Sequence, residues 1–242
     1  MKNILITGAN RGIGKAIAIA FGQKGHTVII TARKSAAGNE TLNELIQLGI
    51  DAHFYKMDVA LDEEIAKTTE AVAAKFGHLD ILINNAGIMS DEEGWIGNST
   101  LTVSDKAFTK TMVTNFMGPW KVSKAFIPLL EKGTAAQLLN ISAKIASLQM
   151  GSDKKSPTFQ SKPFAYNVSK SALNQLTIHL AHALRRQKIR VLSIYPGWVK
   201  TDMGGANALF DPSEAANRII EITNNNEFLS GTFVDYDHEL PW

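Results

Sequence analysis

A tyrosine and a lysine four residues apart, Tyr166 and Lys170, carry the most evident chemistry in this chain. The segment around them has helical spacing, and residues four apart on a helix point to the same face. A cation close to a phenol stabilises the phenolate, so we expect Lys170 to pull the pKa of Tyr166 below its ordinary value of about 10. Such a tyrosine can give a proton to a carbonyl oxygen while a hydride arrives at the carbon. An isolated Tyr-x-x-x-Lys pattern is more often a tyrosine with a surface lysine one turn later, so the pair needs support from other motifs.

A glycine-rich turn between the first strand and the first helix predicts a phosphate-binding site. Residues 8–14 read Gly-Ala-Asn-Arg-Gly-Ile-Gly, and glycines there let backbone amides approach a pyrophosphate at the helix N-terminus. The spacing is not Gly-x-Gly-x-x-Gly, and Ala9 and Ala16 stand where a P-loop has Gly and Ser or Thr. A strand-to-helix turn without a ligand is the alternative interpretation. The candidate cofactor contacts of this turn are Gly8, Asn10, Arg11, Gly12, Ile13 and Gly14.

Two more motifs accompany the glycine turn and the Tyr166–Lys170 pair. They are Asn-Asn-Ala-Gly at 84–87, after the fourth predicted strand, and Pro-Gly-Trp-Val-Lys-Thr at 196–201, after the sixth. With these four motifs in order, the chain resembles the short-chain dehydrogenase/reductase family over essentially its whole length. The Asn-Arg-Gly opening at 10–12, the stretched loop before Tyr166 and the ending at 231–242 look most like the carbonyl reductases within that family.

The resemblance assigns roles to individual residues. It implies that Tyr166 is the general acid or base, that Lys170 also holds the nicotinamide ribose hydroxyls, and that Asn115 supports a water leading protons to that lysine. A helix-interior asparagine bonded locally is the alternative for Asn115. The further implied contacts are Asp58 and Val59 beside the adenine, Asn85, Ala86 and Gly87 beside the adenosine ribose, and Pro196, Gly197, Trp198, Val199 and Thr201 beside the nicotinamide carboxamide.

The residues after the second predicted strand point to NADP(H) rather than NAD. A site for NAD usually has an acid there, about 20 residues beyond the glycines, which binds the ribose 2′-hydroxyl. This chain has Thr-Ala-Arg-Lys at 31–34, and its next acid is Glu40. Arg33, together with Arg11 of the glycine turn, can form a cationic clamp on a 2′-phosphate. Two solvated surface arginines are the alternative.

The chain departs from the family pattern after the fifth predicted strand. The family normally reads Asn-x-Ser-Ser there, and its second serine hydroxyl bonds the substrate oxygen, whereas residues 140–143 read Asn-Ile-Ser-Ala. Ala143 therefore occupies the serine position, and strand alternation turns Ser142 to the other side. Either Ser142 or Ser147 takes the role after a local shift, with Ser142 as the catalytic candidate, or one hydrogen-bond donor is missing. Such a loss typically costs about 10²–10³ in turnover.

These candidate residues need a fold that gathers the ends of several strands. Short β-branched runs predict strands at 3–7, 27–31, 52–56, 81–84, 137–141, 190–195 and 231–235, and helical spacing predicts helices at 12–24, 40–48, 62–76, 105–130, 164–186 and 212–223. Their alternation predicts an α/β fold, a doubly wound Rossmann-type parallel sheet of about seven strands with helices on both faces. Gly118, Pro119 and Pro128 argue against an unbroken helix over 105–130. We expect a single dinucleotide-binding and catalytic domain over 1–242, with substrate loops near 89–102 and 146–163.

Composition and the remaining candidates narrow the function classes. The 25 Lys and Arg against 23 Asp and Glu give a net charge of +2 without a basic block, so no nucleic-acid partner is expected. No apolar run reaches the roughly 20 residues of a membrane span, no signal peptide is evident, and the absence of Cys excludes thiolate sites; a cytoplasmic location is the default. No metal is expected either, because His179 and His182 have no third ligand nearby. The acids at 91–93 are interpreted as solvated loop charges.

The predicted function is an NADPH-dependent reduction of a ketone or aldehyde to an alcohol, or the reverse. The expected partners are the small carbonyl or alcohol substrate and, by resemblance, a second copy of the chain in a homodimer. A monomer is the alternative, because carbonyl-reductase-like members with added loops can stay monomeric. The alternative is a catalytically impaired nucleotide-binding protein, natural or engineered, and Ala143 is the only feature that favours it.

Overall fold

Short apolar runs form the strands of the protein, and the computed structural model describes all 242 residues. The strands are β1 (Asn3–Ile6), β2 (Thr27–Ala32), β3 (Ala52–Lys56), β4 (Ile81–Asn84), β5 (Gly97–Asn98), β6 (Gln137–Ile141), β7 (Ser161–Lys162), β8 (Arg190–Ile194) and β9 (Thr232–Val234). The helices are α1 (Gly12–Gln23), α2 (Ser35–Gln47), α3 (Asp62–Phe76), α4 (Asp105–Met112), α5 (Gly118–Leu130), α6 (Leu148–Ser152), α7 (Phe164–Ala183) and α8 (Pro212–Asn224).

Seven of the strands form one parallel sheet in the order β3-β2-β1-β4-β6-β8-β9. The chain leaves β1 for β2 on one side and later returns to place β4 on the other, so the topology switches direction between β1 and β4. Because all seven strands run the same way, their carboxyl ends meet at one edge, where ligands of such sheets bind. The predicted fold class is confirmed.

Helices cover both faces of the sheet, and alternate side chains of one strand enter two different cores. In β1, Ile4 and Ile6 belong to the core beneath α1 and α8, whereas Leu5 belongs to the core beneath α3, α5 and α7. This explains the runs of apolar residues without alternation in β1, β2 and β4, since burial on both faces favours apolar side chains on either side.

The helical stretch 105–130 is interrupted by a π turn rather than broken. Over Val113–Met117 the helix widens, and the N–H of Gly118 donates to the carbonyl of Val113, five residues earlier. Pro119 has no N–H, so it cannot donate to the carbonyl of Asn115, four residues before it. The interruption predicted from the proline is present, but it takes the form of a π turn that joins α4 directly to α5. A second difference is that α2 begins at Ser35, five residues before the predicted start.

The two long loops are joined to each other. The loop at 89–102 contains β5, and the loop at 146–163 contains α6 and ends in β7. β5 and β7 pair in parallel as a separate two-stranded sheet, with Gly97 opposite Ser161 and Asn98 opposite Lys162. The loops therefore form one structure at the carboxyl edge of the main sheet. No helix of the chain has the length and apolar character needed to cross a bilayer.

Candidate active site

Tyr166 and Lys170 lie in the first two turns of α7, at the carboxyl edge of the sheet. Both side chains are buried, with 6% and 4% of their surface exposed. The Lys170 Nζ donates a hydrogen bond of 2.6 Å to the carbonyl oxygen of Ile141, at the end of β6, and lies 5.8 Å from the centroid of the Tyr166 ring. The predicted shared face of the pair is thus present in the structure.

Burial sets the protonation state of this pair. Removal from water lowers the pKa of Lys170 to about 8. Removal from water also raises the pKa of Tyr166 above its ordinary value, and the neighbouring phenol of Tyr195 raises it further. The expected lowering of the Tyr166 pKa is therefore wrong for the protein alone, because burial of the phenol dominates the shift. A protonated phenol is the form that a proton donor requires.

Asn115 sits in the π turn and is fully buried beside this pair. Its Oδ1 accepts from the backbone N–H of Ile88 at 2.8 Å, while its Nδ2 donates to the Ile88 carbonyl at 2.8 Å and to the Ser169 hydroxyl at 3.0 Å. A Cβ at Gly87 would lie 3.5 Å from both Asn115 Oδ1 and Lys170 Nζ. The glycine thus leaves a narrow space between the Asn115 amide and the Lys170 ammonium.

The two candidate serines are both engaged elsewhere. The Ser142 hydroxyl donates to Oδ1 of Asn174, one turn beyond Lys170 on α7, at 2.6 Å. The Ser147 hydroxyl donates to the Trp242 carbonyl at 3.1 Å and accepts from the N–H of Met150 at the start of α6. Ala143 is buried and has only a methyl group to offer. Neither hydroxyl is free for a substrate oxygen in this structure.

A buried polar network below the site was missed from the sequence. Asn174 Oδ1 also accepts from Ser193 at 2.9 Å, and Asn140 Nδ2 donates to the Thr177 hydroxyl at 2.9 Å. On the other side, Asn84 Nδ2 donates to Asn140 Oδ1 at 2.9 Å. The network fastens β4, β6 and β8 to α7. A signal was available, because Lys170, Asn174 and Thr177 are polar residues at helical spacing on a buried face.

The glycine turn offers free backbone amides to an anion. α1 begins at Gly12 without a capping side chain and without an acid in its first turn, so its first N–H groups have no partner within the helix. Gly8 and Gly12 adopt φ values of +63° and +55°, which favour glycine. A Cβ at Gly14 would lie 2.4 Å from Asn85 Nδ2, so the turn has no room for a side chain there. This cradle fits the pyrophosphate of a dinucleotide.

Asn85 supports this turn with its side chain. Its Nδ2 donates to the carbonyls of Thr7 at 2.9 Å and Gly8 at 3.1 Å, and the N–H groups of Asn85 and Ala86 both donate to the Thr7 hydroxyl at 3.0 Å. The amide group predicted to contact the cofactor is therefore used to hold the glycine turn in place.

The two arginines predicted to bind a 2′-phosphate, Arg11 and Arg33, both lie at the carboxyl edge of the sheet but have different neighbours. Arg33 follows β2, is exposed, and lines a cleft of about 310 Å³ with Lys106 and Lys110 of α4. Arg11 is also exposed, but it is paired with Asp202, in the loop after β8. Asp202 is a partner that the sequence did not suggest.

The segments after β3 and β8 complete the edge. Asp58 Oδ1 accepts from the N–H of Ala60 at 3.0 Å, and Val59 is buried against Gly118. After β8, the indole N–H of Trp198 donates to the Gly204 carbonyl at 2.9 Å. The Thr201 side chain lies over the glycine turn, because a Cβ at Gly12 would be 3.2 Å from its methyl group. Pro196, Gly197 and Val199 are buried in the same segment.

Trp95, in the loop at 89–102, packs against Tyr166. Its ring meets the Tyr166 ring edge-on at 5.7 Å between centroids, and its indole N–H donates to the Met203 carbonyl at 3.1 Å. The loop at 89–102 is thereby fixed to the segment after β8 directly beside the phenol. The sequence did not predict this contact, because Trp95 is a single aromatic residue in a polar loop.

Glu93 anchors the same loop, and its interpretation as a solvated charge is wrong. It is 5% exposed, and its Oε1 accepts from the N–H of Ala165 in the first turn of α7 at 2.7 Å and from the Ser99 hydroxyl at 2.8 Å. Ser99 in turn accepts from the N–H of Phe164 at 2.8 Å. The loop supplies the N-terminal cap of the helix that carries Tyr166.

His179 and His182 are exposed on α7, and no group of three or more His, Asp or Glu side chains has a metal-binding arrangement.

Comparison with known proteins places this geometry in a family. The family profile of short chain dehydrogenases matches residues 2–209. The chain belongs to the short-chain dehydrogenase family. It is an oxidoreductase of that family, and the resemblance drawn from its motifs is confirmed.

Relatives of this short-chain dehydrogenase include several oxidoreductases. An uncharacterized oxidoreductase of Thermotoga maritima is 34% identical over 222 residues, which cover 90% of this chain and 80% of that protein. The (+)-neomenthol dehydrogenase of Arabidopsis thaliana is 29% identical, with 95% of this chain and 94% of that protein covered. Among solved structures, the carbonyl reductase Sniffer of D. melanogaster superimposes with a TM-score of 0.87 at 31% identity, and both chains are covered completely. The NADPH-bound carbonyl reductase from chicken fatty liver gives a TM-score of 0.86 at 26% identity, covering 100% of this chain and 99% of that one.

Proposed function

We propose that this oxidoreductase uses NADP(H) to reduce a ketone or aldehyde to an alcohol, or catalyses the reverse reaction, with Tyr166 as the general acid or base. The observation that carries the proposal is the buried Tyr166–Lys170 pair, held beside Asn115 at the edge where the glycine turn lies. The similarity to carbonyl reductase structures supports the substrate class.

The residues present fit a nicotinamide dinucleotide. The amides at the start of α1 would hold its pyrophosphate, Lys170 its ribose hydroxyls, and the segment 196–199 its carboxamide. When bound, the cofactor supplies the hydride that reaches the carbonyl carbon, or takes it up in the reverse direction. Arg33 and Arg11, with no acid at the end of β2, support NADP(H) over NAD(H).

Tyr166 performs the proton transfer in this proposal. Its phenol donates to the substrate oxygen as negative charge develops there, which lowers the barrier because the bond is stronger in the transition state. The Lys170 ammonium lies close enough to stabilise the phenolate left behind. The space at Gly87, between the Asn115 amide and the Lys170 ammonium, suits a water that returns a proton to this pair.

Trp95 narrows the substrate class toward apolar carbonyl compounds. Its ring forms the wall next to the proton donor, and Ala143 adds a methyl group instead of a hydroxyl. An aromatic wall favours an uncharged, apolar group attached to the carbonyl carbon.

The test is the loss of the near-ultraviolet absorbance of NADPH over a panel of ketones and aldehydes. We expect turnover in the wild type and a loss of about 10²–10⁴-fold in kcat for Tyr166→Phe, with nearly unchanged NADPH affinity. Retention of more than about a tenth of the activity would refute the acid role. Binding of NADPH without reduction of any carbonyl would instead favour a nucleotide-binding protein that lacks the reaction.

We also propose a homodimer formed through α4, α5 and α7, by resemblance to the family. Light scattering at micromolar concentration should give twice the monomer mass, and a value near 26.4 kDa would refute the dimer.

A further inference from the structure

The substrate oxygen lacks its second hydrogen-bond donor on β6, provided that the reaction is the reduction proposed above. Ala143 has no hydroxyl, Ser142 donates to Asn174, and Ser147 donates to the carboxy-terminal residue. Removing one such donor from an enzyme typically costs about 10²–10³ in turnover. Another donor at the same place would therefore be of large benefit.

Tyr195 lies at the same edge of the sheet, just after the neighbouring strand β8. Ile141 pairs with Ile194, and the N–H of Ser142 donates to the Ile194 carbonyl at 2.7 Å, so Tyr195 stands next to Ser142 just beyond the strand ends. Ser193 faces α7, since its hydroxyl contacts Asn174. Residues two apart on a strand share a face, and the N–H of Tyr195 continues the pairing by donating to Val234 at 2.9 Å. Tyr195 thus faces α7 one step closer to the site than Ser193.

The ring of Tyr195 is held, whereas its hydroxyl is free. Lys144 Nζ lies 5.7 Å from the ring centroid and 3.8 Å from the carboxylate of Asp235, the residue after β9. The Tyr195 hydroxyl makes no hydrogen bond to the protein. It is not one of the buried polar atoms without a partner, so it remains accessible to solvent. A half-buried phenol with a free hydroxyl is unusual, because such groups normally find a partner.

The two phenols share one electrostatic environment. Tyr195 is near enough to Tyr166 to raise the pKa of that residue. Burial, followed by the charge of Asp235, raises the pKa of Tyr195 itself to about 12, so the hydroxyl keeps its proton at neutral pH. Adjacent parallel strands are about 4.8 Å apart, and a phenol extends farther from its backbone than a serine hydroxyl by the length of a ring. A tyrosine just after β8 can therefore reach an oxygen that a serine just after β6 would meet.

We propose that the Tyr195 hydroxyl is the second hydrogen-bond donor to the substrate carbonyl oxygen, in place of the serine that this chain lacks. Tyr166 gives up its proton to the oxygen, and Tyr195 retains its own and stabilises the charge that develops there. The reaction then has two phenol donors on one oxygen, one from α7 and one from the end of β8.

The experiment compares steady-state kinetics of four variants with NADPH and acetophenone, a probe that matches the aromatic wall. Tyr195→Phe should lower kcat by about 10²-fold, leave the NADPH dissociation constant unchanged and change KM less than about threefold. Ala143→Ser in the Tyr195→Phe background should restore kcat by at least about tenfold, and Ala143→Ser alone should raise kcat by less than it does in that background. Tyr55→Phe, a half-buried tyrosine on β3, is the matched control and should leave kcat unchanged.

A spectroscopic measurement separates hydrogen bonding from packing. Acetophenone labelled with ¹³C at its carbonyl carbon can be bound in the dead-end complex with NADP⁺. Loss of a hydrogen bond to the oxygen moves this resonance upfield, so Tyr195→Phe should shift it and Tyr55→Phe should not. Thermal unfolding of Tyr195→Phe should match the wild type, because the hydroxyl bonds to nothing in the protein.

Three outcomes would overturn the role of Tyr195. The first is that Tyr195→Phe leaves both kcat and the ¹³C resonance of the carbonyl carbon unchanged. The second is that Tyr195→Phe changes KM alone, which would mean that the ring only lines the pocket. The third is an increase of about 10²-fold from Ala143→Ser alone, because the donor would then be missing rather than replaced. An active wild type with inactive Tyr166→Phe and fully active Tyr195→Phe defeats only this inference. A wild type that reduces no carbonyl compound defeats the proposed function as well.

Discussion

Glu93 should contribute more to the stability of this protein than any charge on its surface. In Glu93→Ala, the N–H of Ala165 and the Ser99 hydroxyl lose a charged acceptor at 2.7 and 2.8 Å. Hydrogen bonds to charged groups contribute about 1.5–3 kcal/mol each, and an acid at a helix N-terminus adds about 0.3–1 kcal/mol. The cost of burying the carboxylate, whose Oε2 has no hydrogen-bond partner, opposes these contributions. The Glu93→Ala variant no longer has this cost. We expect a net loss of about 3 kcal/mol in the free energy of unfolding.

Thermal denaturation followed by circular dichroism measures this loss. At about 2–4 °C per kcal/mol for a chain of this size, Tm should fall by about 6–12 °C. Asp91→Ala is the matched control, because Asp91 is exposed in the same loop and should change stability by less than about 0.5 kcal/mol. Glu93→Gln retains an acceptor oxygen and should lose roughly half as much. The reasoning is refuted if Glu93→Ala matches Asp91→Ala in Tm and also leaves the hydrogen exchange of the Ala165 amide unchanged.

Two further predictions concern pH and cofactor choice. The pKa of Lys170 is about 8 in the folded chain and about 10.5 ordinarily, so between these pH values the unfolded chain binds more protons and stability should rise with pH. Relative to Lys170→Met, which lacks this titration, the free energy of unfolding of the wild type should rise by up to roughly 3 kcal/mol between these pH values. Denaturant titrations at several pH values measure this difference. The burial argument is contradicted if the free energies of the two proteins change with pH in the same way. For the cofactor, fluorescence titration should show NADPH binding more than about tenfold tighter than NADH, and Arg33→Asp should narrow or reverse the difference. Equal affinities in the wild type would exclude a clamp on the 2′-phosphate.

The sheet could be predicted from the sequence because its strands are buried on both faces. Runs such as 27–31 and 81–84 are apolar at almost every position, and the observed strands Thr27–Ala32 and Ile81–Asn84 differ from them by at most one residue. The start of a helix is harder to predict from the sequence where no capping residue marks it. α2 begins at Ser35, inside a stretch of small residues without an apolar period.

The catalytic pair could be predicted because spacing alone places Tyr166 and Lys170 on one helical face. The direction of the Tyr166 pKa shift could not be predicted, since it depends on how completely the fold removes the phenol from water. Glu93 was equally hidden. It is one of three consecutive acids, and only the tertiary approach of the loop to α7 distinguishes it from Asp91. Tyr195 gave no signal either, because its neighbour across the sheet is far away in sequence.

The pairing of β5 with β7 has a consequence for how this protein can change through evolution. Each of the two loops completes a strand pair with the other, so neither can be replaced alone without leaving backbone groups of its counterpart unpartnered. Exchange of loops with a relative should therefore succeed when both are transferred together and fail when either is moved singly. As the expected substrate loops, these two segments would carry selectivity jointly, although they are about 60 residues apart along the chain.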